Sequence, residues 1–494
     1  MLSQFALLIL GFFSQRAMNL YMGAELVGMN GVISNVINIL SVTELGISTA
    51  IVYLLYGALA RKDEAGIASL MNLYRKAYHV FAVLVFAAGM AVLPFIHLFM
   101  KNNSYSLSYI RVLYAMWLVR TVLSYLLTYR KSLLIADQKE YIASITGLIL
   151  NVVSYLAIIL LVTWEQNYLL ALGIGTVTEV VLNIWISWYV EQKYPFLRQR
   201  RKEKSTSSLT KRIVRDLKSL FISRISEKML YCTDNLIISG FIGVGTVGRY
   251  ANYCMITQAI SNILTILANT IQPTVGDYFT EKNRQRNYEI LRQLTFGFFC
   301  IASVVSVGLF SLITPFVRDI WLGPSYELGW GITVFCIVVL LVRIMGLPLS
   351  LVMGVTGLFE KEKNVGASSA LLNLIVSLAL VKPYGMAGVL LGTLLSYLLQ
   401  ILYRYIIYFR DFLEMPGEAL RYAQDIGEYL AVIAGEVLLM QKIVPLIYGA
   451  GGMLLFCVCF LLCIAIPLLL DLVIFGRGWR LQSIVTMVKG MRKA

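Results

Sequence analysis

The sequence predicts an all-α polytopic membrane protein, with about fourteen transmembrane helices arranged as two parallel-related six-helix lobes around a central cavity plus two C-terminal helices. Three observations carry that expectation. Apolar runs of roughly 17 to 28 residues recur to the end of the chain, basic residues alternate between the connecting loops, and blocks of sequence return at an offset of 220 residues.

Of 494 residues, 59% are hydrophobic and 14% charged, whereas an ordinary soluble domain is about 25% charged. A soluble core of this length cannot hide so much apolar surface, so lipid is the solvent for much of it. The recurrence of apolar runs excludes a soluble enzyme held by one anchor. The first run, Phe5 to Met22, has neither a basic n-region nor a small-residue cleavage site, and reads as a first span rather than a signal peptide.

Windows of about 20 residues place helices at 4–22, 31–56, 77–99, 108–129, 141–163, 168–190, 219–240, 248–275, 292–317, 328–354, 365–381, 386–409, 426–447 and 452–474. The thirteenth is the least regular, because Glu428, Glu436, Gln441 and Lys442 interrupt it. Pro273, Pro315, Pro348, Pro445 and Pro467 fall within or at the ends of spans, where a helix bends if its released carbonyls find protein or water.

Charge asymmetry tests this map independently. With the N-terminus cytoplasmic, the inner loops hold Arg61, Lys62, Arg75, Lys76, Arg130, Lys131, Lys139, the basic residues between Lys193 and Lys218, and Lys282, Arg284, Arg286, Arg292, Lys361 and Lys363. Arg404, Arg410 and Arg421 flank the twelfth span, and Arg477, Arg480, Lys489, Arg492 and Lys493 follow the fourteenth on the same side. The outer edge holds only Lys101, Lys382 and Lys442. Both termini are therefore expected in the cytoplasm. The formal charge of +15 needs no nucleic acid to explain it. The basic run FLRQRRKEKS (196–205) reads as a topology-fixing linker beside anionic lipid heads, with a surface for a cytoplasmic partner as the alternative.

The segment GAELVGMNG (23–31) aligns without gaps to GVGTVGRYA (243–251). The same offset pairs Lys62 with Lys282 and Glu140 with Glu360, and after a small indel Gly175-Thr176 matches Gly392-Thr393. Six spans separate equivalent positions, so the halves share one orientation and a pseudo-twofold axis along the membrane normal. The expected organisation is a lobe over 1–190, a basic cytoplasmic linker over 191–218, a second lobe over 219–410, and two additional helices with a cytoplasmic tail over 411–494.

Polar residues inside spans are the candidate site. Gln258, Asn262, Thr265, Asn269 and Gln272 are spaced four, three, four and three, which puts them on one helix face. Lipid would leave their polar groups unsatisfied, so that face looks at water or at a closed hydrogen-bonded seam. Arg16, Arg120, Arg224, Lys228, Arg249 and Arg343 are the basic residues in apolar context that point to an anionic substrate, since guanidinium pairs its N–H donors with phosphate. Arg111 and Arg249 lie near outer ends, where snorkelling is the alternative reading. Glu44, Glu179 and Asp234 either balance these cations or carry a coupling proton or sodium ion. Seven cysteines in or beside apolar segments, with no Cys-x-x-Cys, read as small hydrophobes. His79 and His97 are isolated, and neither a metal nor a catalytic set is expected.

GAELVGMNGVISN (23–35), TELGISTAIVY (43–53), LMNLYRKAY (70–78), YRKSLLIADQKEY (129–141), TDNLIISGFIGVGTVGRYANY (233–253), IWLGPSY (320–326) and GMAGVLLGT (385–393) together resemble the Wzx-type polysaccharide and O-antigen flippases of the multidrug, oligosaccharidyl-lipid and polysaccharide exporter superfamily. The resemblance runs from about residue 2 to about 410 and is looser through the last two helices. It implies two six-helix lobes around a V-shaped cavity and a non-enzymatic role without a cofactor. The implied activity moves an undecaprenyl-diphosphate-linked oligosaccharide from the inner to the outer leaflet of the bacterial cytoplasmic membrane, for capsule, O-antigen or exopolysaccharide assembly. Implied partners are the polyprenyl-diphosphate-linked glycan, membrane lipids and a polysaccharide polymerase. Where relatives often carry arginine in the middle of the first span, this chain has Gln15 followed by Arg16.

Two rival readings remain. Export of another substrate, the murein lipid precursor or a small cation by antiport, is the first; cation export calls for acidic rather than basic cavity residues. A membrane-embedded polysaccharide polymerase or ligase is the second, and would need a large external loop or a compact set of carboxylates and histidine. The expected outer loops are about ten residues or fewer.

Overall fold

The computed structural model describes residues 2–41, 47–198, 232–279, 283–449 and 451–476, and among these every regular element is helical. The first helices are α1 (Leu2–Ala17), continued by a π-helical turn at Met18–Met22, α2 (Gly23–Leu40) and α3 (Ile47–Ala60). After them come α4 (Glu64–Val92), extended by a 3-10 segment to Phe99, α5 (Leu107–Thr128), the short α6 (Lys131–Ala136), α7 (Glu140–Trp164) and α8 (Tyr168–Lys193). A helix over 232–241, here α9, leads into α10 (Val244–Tyr278). The remainder is α11 (Arg284–Pro315), α12 (Trp330–Val355), α13 (Phe359–Ile406), α14 (Pro416–Tyr448) and α15 (Met453–Phe475). Among the described residues, ten helices are long and apolar enough to cross a membrane.

Helix starts follow local chemistry. The Asp63 carboxylate accepts from Gly66 N at 2.9 Å to open α4, Ser106 Oγ accepts from Tyr109 N to open α5, and Asn167 Oδ1 accepts from Leu170 N to open α8. Each cap satisfies one of the amides that a helix N-terminus leaves without an intrahelical partner. The hydropathy window for the second span begins at 31, yet α2 starts at Gly23, whose φ of 81° breaks the run from α1. Glu25 and Asn30 lower the local hydropathy there, and both are satisfied by tertiary contacts: Glu25 Oε2 accepts from Ser104 N at 2.9 Å. The expected spans at 365–381 and 386–409 form one helical run folded back at Gly385 (φ 58°). Asn373 Nδ2 donates to Thr393 Oγ1 at 2.9 Å, and Ser377 Oγ donates to Val389 O at 3.2 Å, which fixes the two arms antiparallel.

By packing, the chain forms two compact units, 1–251 and 252–494. In the first, α7 packs on α8 and α1, and α5 packs on α4 and α8. A buried hydroxyl chain, Ser132 to Tyr74 to Tyr78, ties the α6 region to α4. The segment entering α10 belongs to this unit because Lys101 Nζ donates to Phe241 O, Asn102 Nδ2 to Ile242 O, and Val244 N to Lys101 O. In the second unit, α11 is the central helix and packs against α12, α14 and α15. Its core joins Tyr288, Leu291 and Leu294 of α11 to Leu349, Val352 and Met353 of α12, with Tyr408 and Tyr422 beside them. The basic run at 191–218 falls mostly outside the described residues.

Candidate functional site

In the first unit the charged residues of α5 and α8 meet. Arg120 Nε donates to Glu179 Oε2 at 2.7 Å, with side-chain exposures of 24% and 19%. One turn earlier on α5, the indole of Trp117 lies under the guanidinium, 5.4 Å from ring centroid to Cζ. Trp117 Nε1 donates to Asn30 Oδ1 at 2.7 Å, and the Tyr168 hydroxyl donates to the same oxygen at 2.8 Å. Gly175, one turn before Glu179, leaves α8 without a side chain where the guanidinium lies, since a β-carbon there would sit 3.6 Å from Arg120 Nη1. Ser154 Oγ of α7 borders this position, buried and without a hydrogen-bond partner. The cluster is a cation compensated by one carboxylate and set on an aromatic face, an arrangement that desolvates a guanidinium without stranding its charge.

The remaining sequence candidates are distributed differently. Arg16 is exposed at the end of α1, while its neighbours Ser14 and Asn19 are buried. Arg249 is half-buried at the start of α10, and Arg343 of α12 is half-buried with its guanidinium 5.6 Å from the Tyr397 ring centroid. Asp234 is buried in α9. Glu44, Arg224 and Lys228 lie outside the described residues. Of the charged candidates, Arg120 and Glu179 are thus the two joined by a direct ion pair among the described residues.

α10 has three distinct faces. Ser261, Leu264, Ala268 and Val275 are buried on one side, and Ile263, Ile266 and Leu267 are exposed on the opposite side. Between them run the exposed Gln258, Asn262, Thr265 and Asn269, ending at the half-buried Gln272. Gln258 Nε2 donates to Asn262 Oδ1 at 3.0 Å, and Thr265 Oγ1 donates to Ser261 O at 2.8 Å. The stripe keeps to its own helix for these bonds and presents amides outward.

Sequence reasoning did not find the partners of these groups. Asn30, Trp117 and Tyr168 carry no signal alone, because each is an ordinary residue for a span. In the second unit, Arg292 makes a two-pronged contact with Asp425 at 2.7 and 3.1 Å, and Ser303 Oγ donates to Glu436 Oε2 at 2.6 Å. Asp471, a lone charge in the apolar stretch LLLDLVIF, had a readable signal. Outside the spans, Lys139 and the Tyr194 hydroxyl both donate to Asp137 Oδ2, joining the α6–α7 turn to the end of α8. Burial pushes the Asp137 carboxyl up, but these two bonds and the Lys139 and Lys193 charges hold it below its ordinary value overall.

Residues 1–279 match the family described as "Polysaccharide biosynthesis protein". No curated protein matches the sequence. Among solved structures, the chain is similar to the lipid II flippase MurJ in an inward closed conformation, with a TM-score of 0.68, 16% identity, and 96% of this chain and 98% of that one covered. It is also similar to an inward-facing multidrug resistance MATE family transporter of the MOP superfamily, with a TM-score of 0.66, 14% identity, and coverage of 83% and 94%. An outward-facing MATE family transporter gives a TM-score of 0.53 at 13% identity, covering 83% and 95%. These likenesses show that the chain has the all-helical fold of those proteins.

Proposed function

The chain belongs to the polysaccharide biosynthesis protein family, and from that membership we propose that it is a flippase for an undecaprenyl-diphosphate-linked oligosaccharide. It works by alternating access in the bacterial cytoplasmic membrane, with both termini in the cytoplasm, and supplies capsule, O-antigen or exopolysaccharide assembly. The observation that carries this reading is the polar stripe of α10, whose amides face outward between a packed face and a lipid-type face. Sugar hydroxyls and two phosphates must traverse a slab about 30 Å thick, and a wall of amides replaces the water they leave. Glu179 engages Nε of Arg120, so the terminal nitrogens of that guanidinium remain suited to an anionic oxygen. The polyprenyl tail stays in lipid throughout, and no covalent step is required.

Reconstitution in proteoliposomes with a defined diphosphate-linked glycan tests this, with and without proton and sodium gradients. The headgroup should become accessible to an external glycan-modifying enzyme faster than in empty vesicles. Equal rates would reject the reading. The likeness to a lipid II flippase keeps export of the murein lipid precursor as a second reading, and the same assay with that lipid as substrate separates the two. Polymerase or ligase chemistry has less support, because the described connections opposite the basic loops, such as those between α7 and α8 and between α14 and α15, are short.

A further inference from the structure

The last two helices dock on α11 through a seam that holds two acidic groups. Glu436 of α14 and Asp471 of α15 are 3% and 4% exposed. Ser303 Oγ of α11 donates to Glu436 Oε2, and Asp471 lies beside the same serine. Glu436 Oε1 and both oxygens of Asp471 are buried without a hydrogen-bond partner. An independent feature marks the same place: Ser306 Oγ, one turn beyond Ser303 on the same face of α11, is also buried and without a partner.

No cation of these three helices reaches the pair. Arg292 is bound by Asp425, about 16 Å back along α11 from Ser303 at 1.5 Å per residue. Glu428 and Lys442 of α14 are exposed on its outer surface. Cys300 of α11 and Tyr429 of α14 border the same seam. Towards Arg292 the seam is closed by packed rings, with Phe299 stacked 4.4 Å from Tyr429 and edge-on 5.5 Å from Phe475 between centroids. Two buried carboxylates in an aromatic-lined seam, with no counter-charge among the described residues of these three helices, would each carry a desolvation penalty of several kcal/mol. Buried groups in that position neutralise instead.

We infer that Glu436 and Asp471 form a proton-binding site in the α11–α14–α15 seam, at least one of the two carboxyls holding its hydrogen. The proton comes from water and returns to it, with no other bond made or broken. Loss of that proton places uncompensated charge between α11 and the last two helices, so occupancy governs how firmly α14 and α15 dock. The inference rests on this seam alone and is independent of the identity of the translocated lipid.

Infrared difference spectroscopy on the purified full-length protein, titrated from acid to alkaline pH with and without sodium, reads the site directly. A protonated-carboxyl C=O band should persist at neutral pH, shift in deuterium oxide, and be lost in E436Q/D471N. The amides are neutral near-isosteres, so this variant should fold. S303A keeps both carboxyls, removes one donor to Glu436, and should move the band rather than abolish it. A neutral-pH spectrum that the substitutions leave unchanged overturns the inference. So does a band that sodium abolishes at constant pH, which would make the pair an alkali-cation site. Because no lipid substrate enters the measurement, its failure leaves the flippase reading untouched, and failed flipping leaves the spectrum untouched.

Discussion

Gly28 and Gly248, one repeat length apart in sequence, lie against each other's helices in a reciprocal contact. A β-carbon on Gly28 would sit 2.9 Å from Gly248 N and closer still to Val244 O; one on Gly248 would sit 3.0 Å from Gly28 N and closer still to Ala24 O. Ala24 and Val244 are related by the same offset of 220, so residue and partner exchange roles as they would about a local two-fold. The segments GAELVGMNG and GVGTVGRYA, aligned in sequence at that offset, thus also touch in the fold.

Alanine at either glycine meets backbone rather than a yielding side chain. Gly28→Ala or Gly248→Ala should each destabilise this arrangement by about 1–3 kcal/mol, seen as a lower melting temperature of the purified protein. Gly147→Ala is the control, because nothing lies within 4 Å of its added carbon. Equal melting temperatures for all three would contradict the close approach.

The Arg120–Glu179 pair separates charge balance from substrate contact. A fully buried pair loses about 3–5 kcal/mol when one partner is removed, and partial exposure reduces that here to about 1–2 kcal/mol. Glu179→Gln and Arg120→Gln should each lower stability by that amount, while the double variant recovers most of it by an amide–amide hydrogen bond. If Arg120 also holds the diphosphate, the double variant should remain folded but transport at least tenfold more slowly. A folded double variant with full transport would assign the pair to structure alone.

Much of this fold was legible because a span announces itself locally. α5, α7 and α8 begin and end within a few residues of their hydropathy windows, and the caps at Ser106 and Asn167 can be read beside the runs they open. The turn in Val381–Lys382–Pro383–Tyr384–Gly385 is equally readable. Pairing between helices is not local. Arg120 and Glu179 are 59 residues apart, and no periodicity in α5 says which helix presents a carboxylate to it. Glu436 looked like a defect in a weak span because its partners, Ser303 and Asp471, sit on two other helices. The α10 stripe occupies the middle ground: spacing placed five polar residues on one face, but whether that face is packed or open depends on neighbours the sequence does not order.

The Asp137 contact makes stability depend on acid. Its folded carboxyl ionises below the ordinary value of about 3.9, so the stabilisation is fully present above that value and disappears as pH falls through the lower folded value. Asp137→Asn should therefore melt below wild type at pH 7, by less than about 1 kcal/mol for so partly exposed a group. The two curves should converge as pH falls through the lowered folded value. A difference that stays constant across this range would show that the contact acts through packing and not through charge.

The three faces of α10 lead to a labelling pattern that distinguishes a wet wall from a lipid-facing surface. In a background with the native cysteines replaced, Asn262→Cys and Asn269→Cys should react with a charged, membrane-impermeant thiol reagent, because their positions are exposed along the polar stripe. Ile263→Cys and Leu267→Cys are equally exposed by geometry, but they lie on the apolar face and should react at least tenfold more slowly in membranes. Detergent exposes both faces alike, so that contrast should shrink after solubilisation, and the change separates lipid shielding from burial in protein. Thiolate formation requires water around the sulfur, which makes the rate a direct report on hydration. Equal, slow labelling at all four positions in membranes would place the stripe in lipid or in a closed seam, and would remove the wall on which sugar hydroxyls are meant to travel.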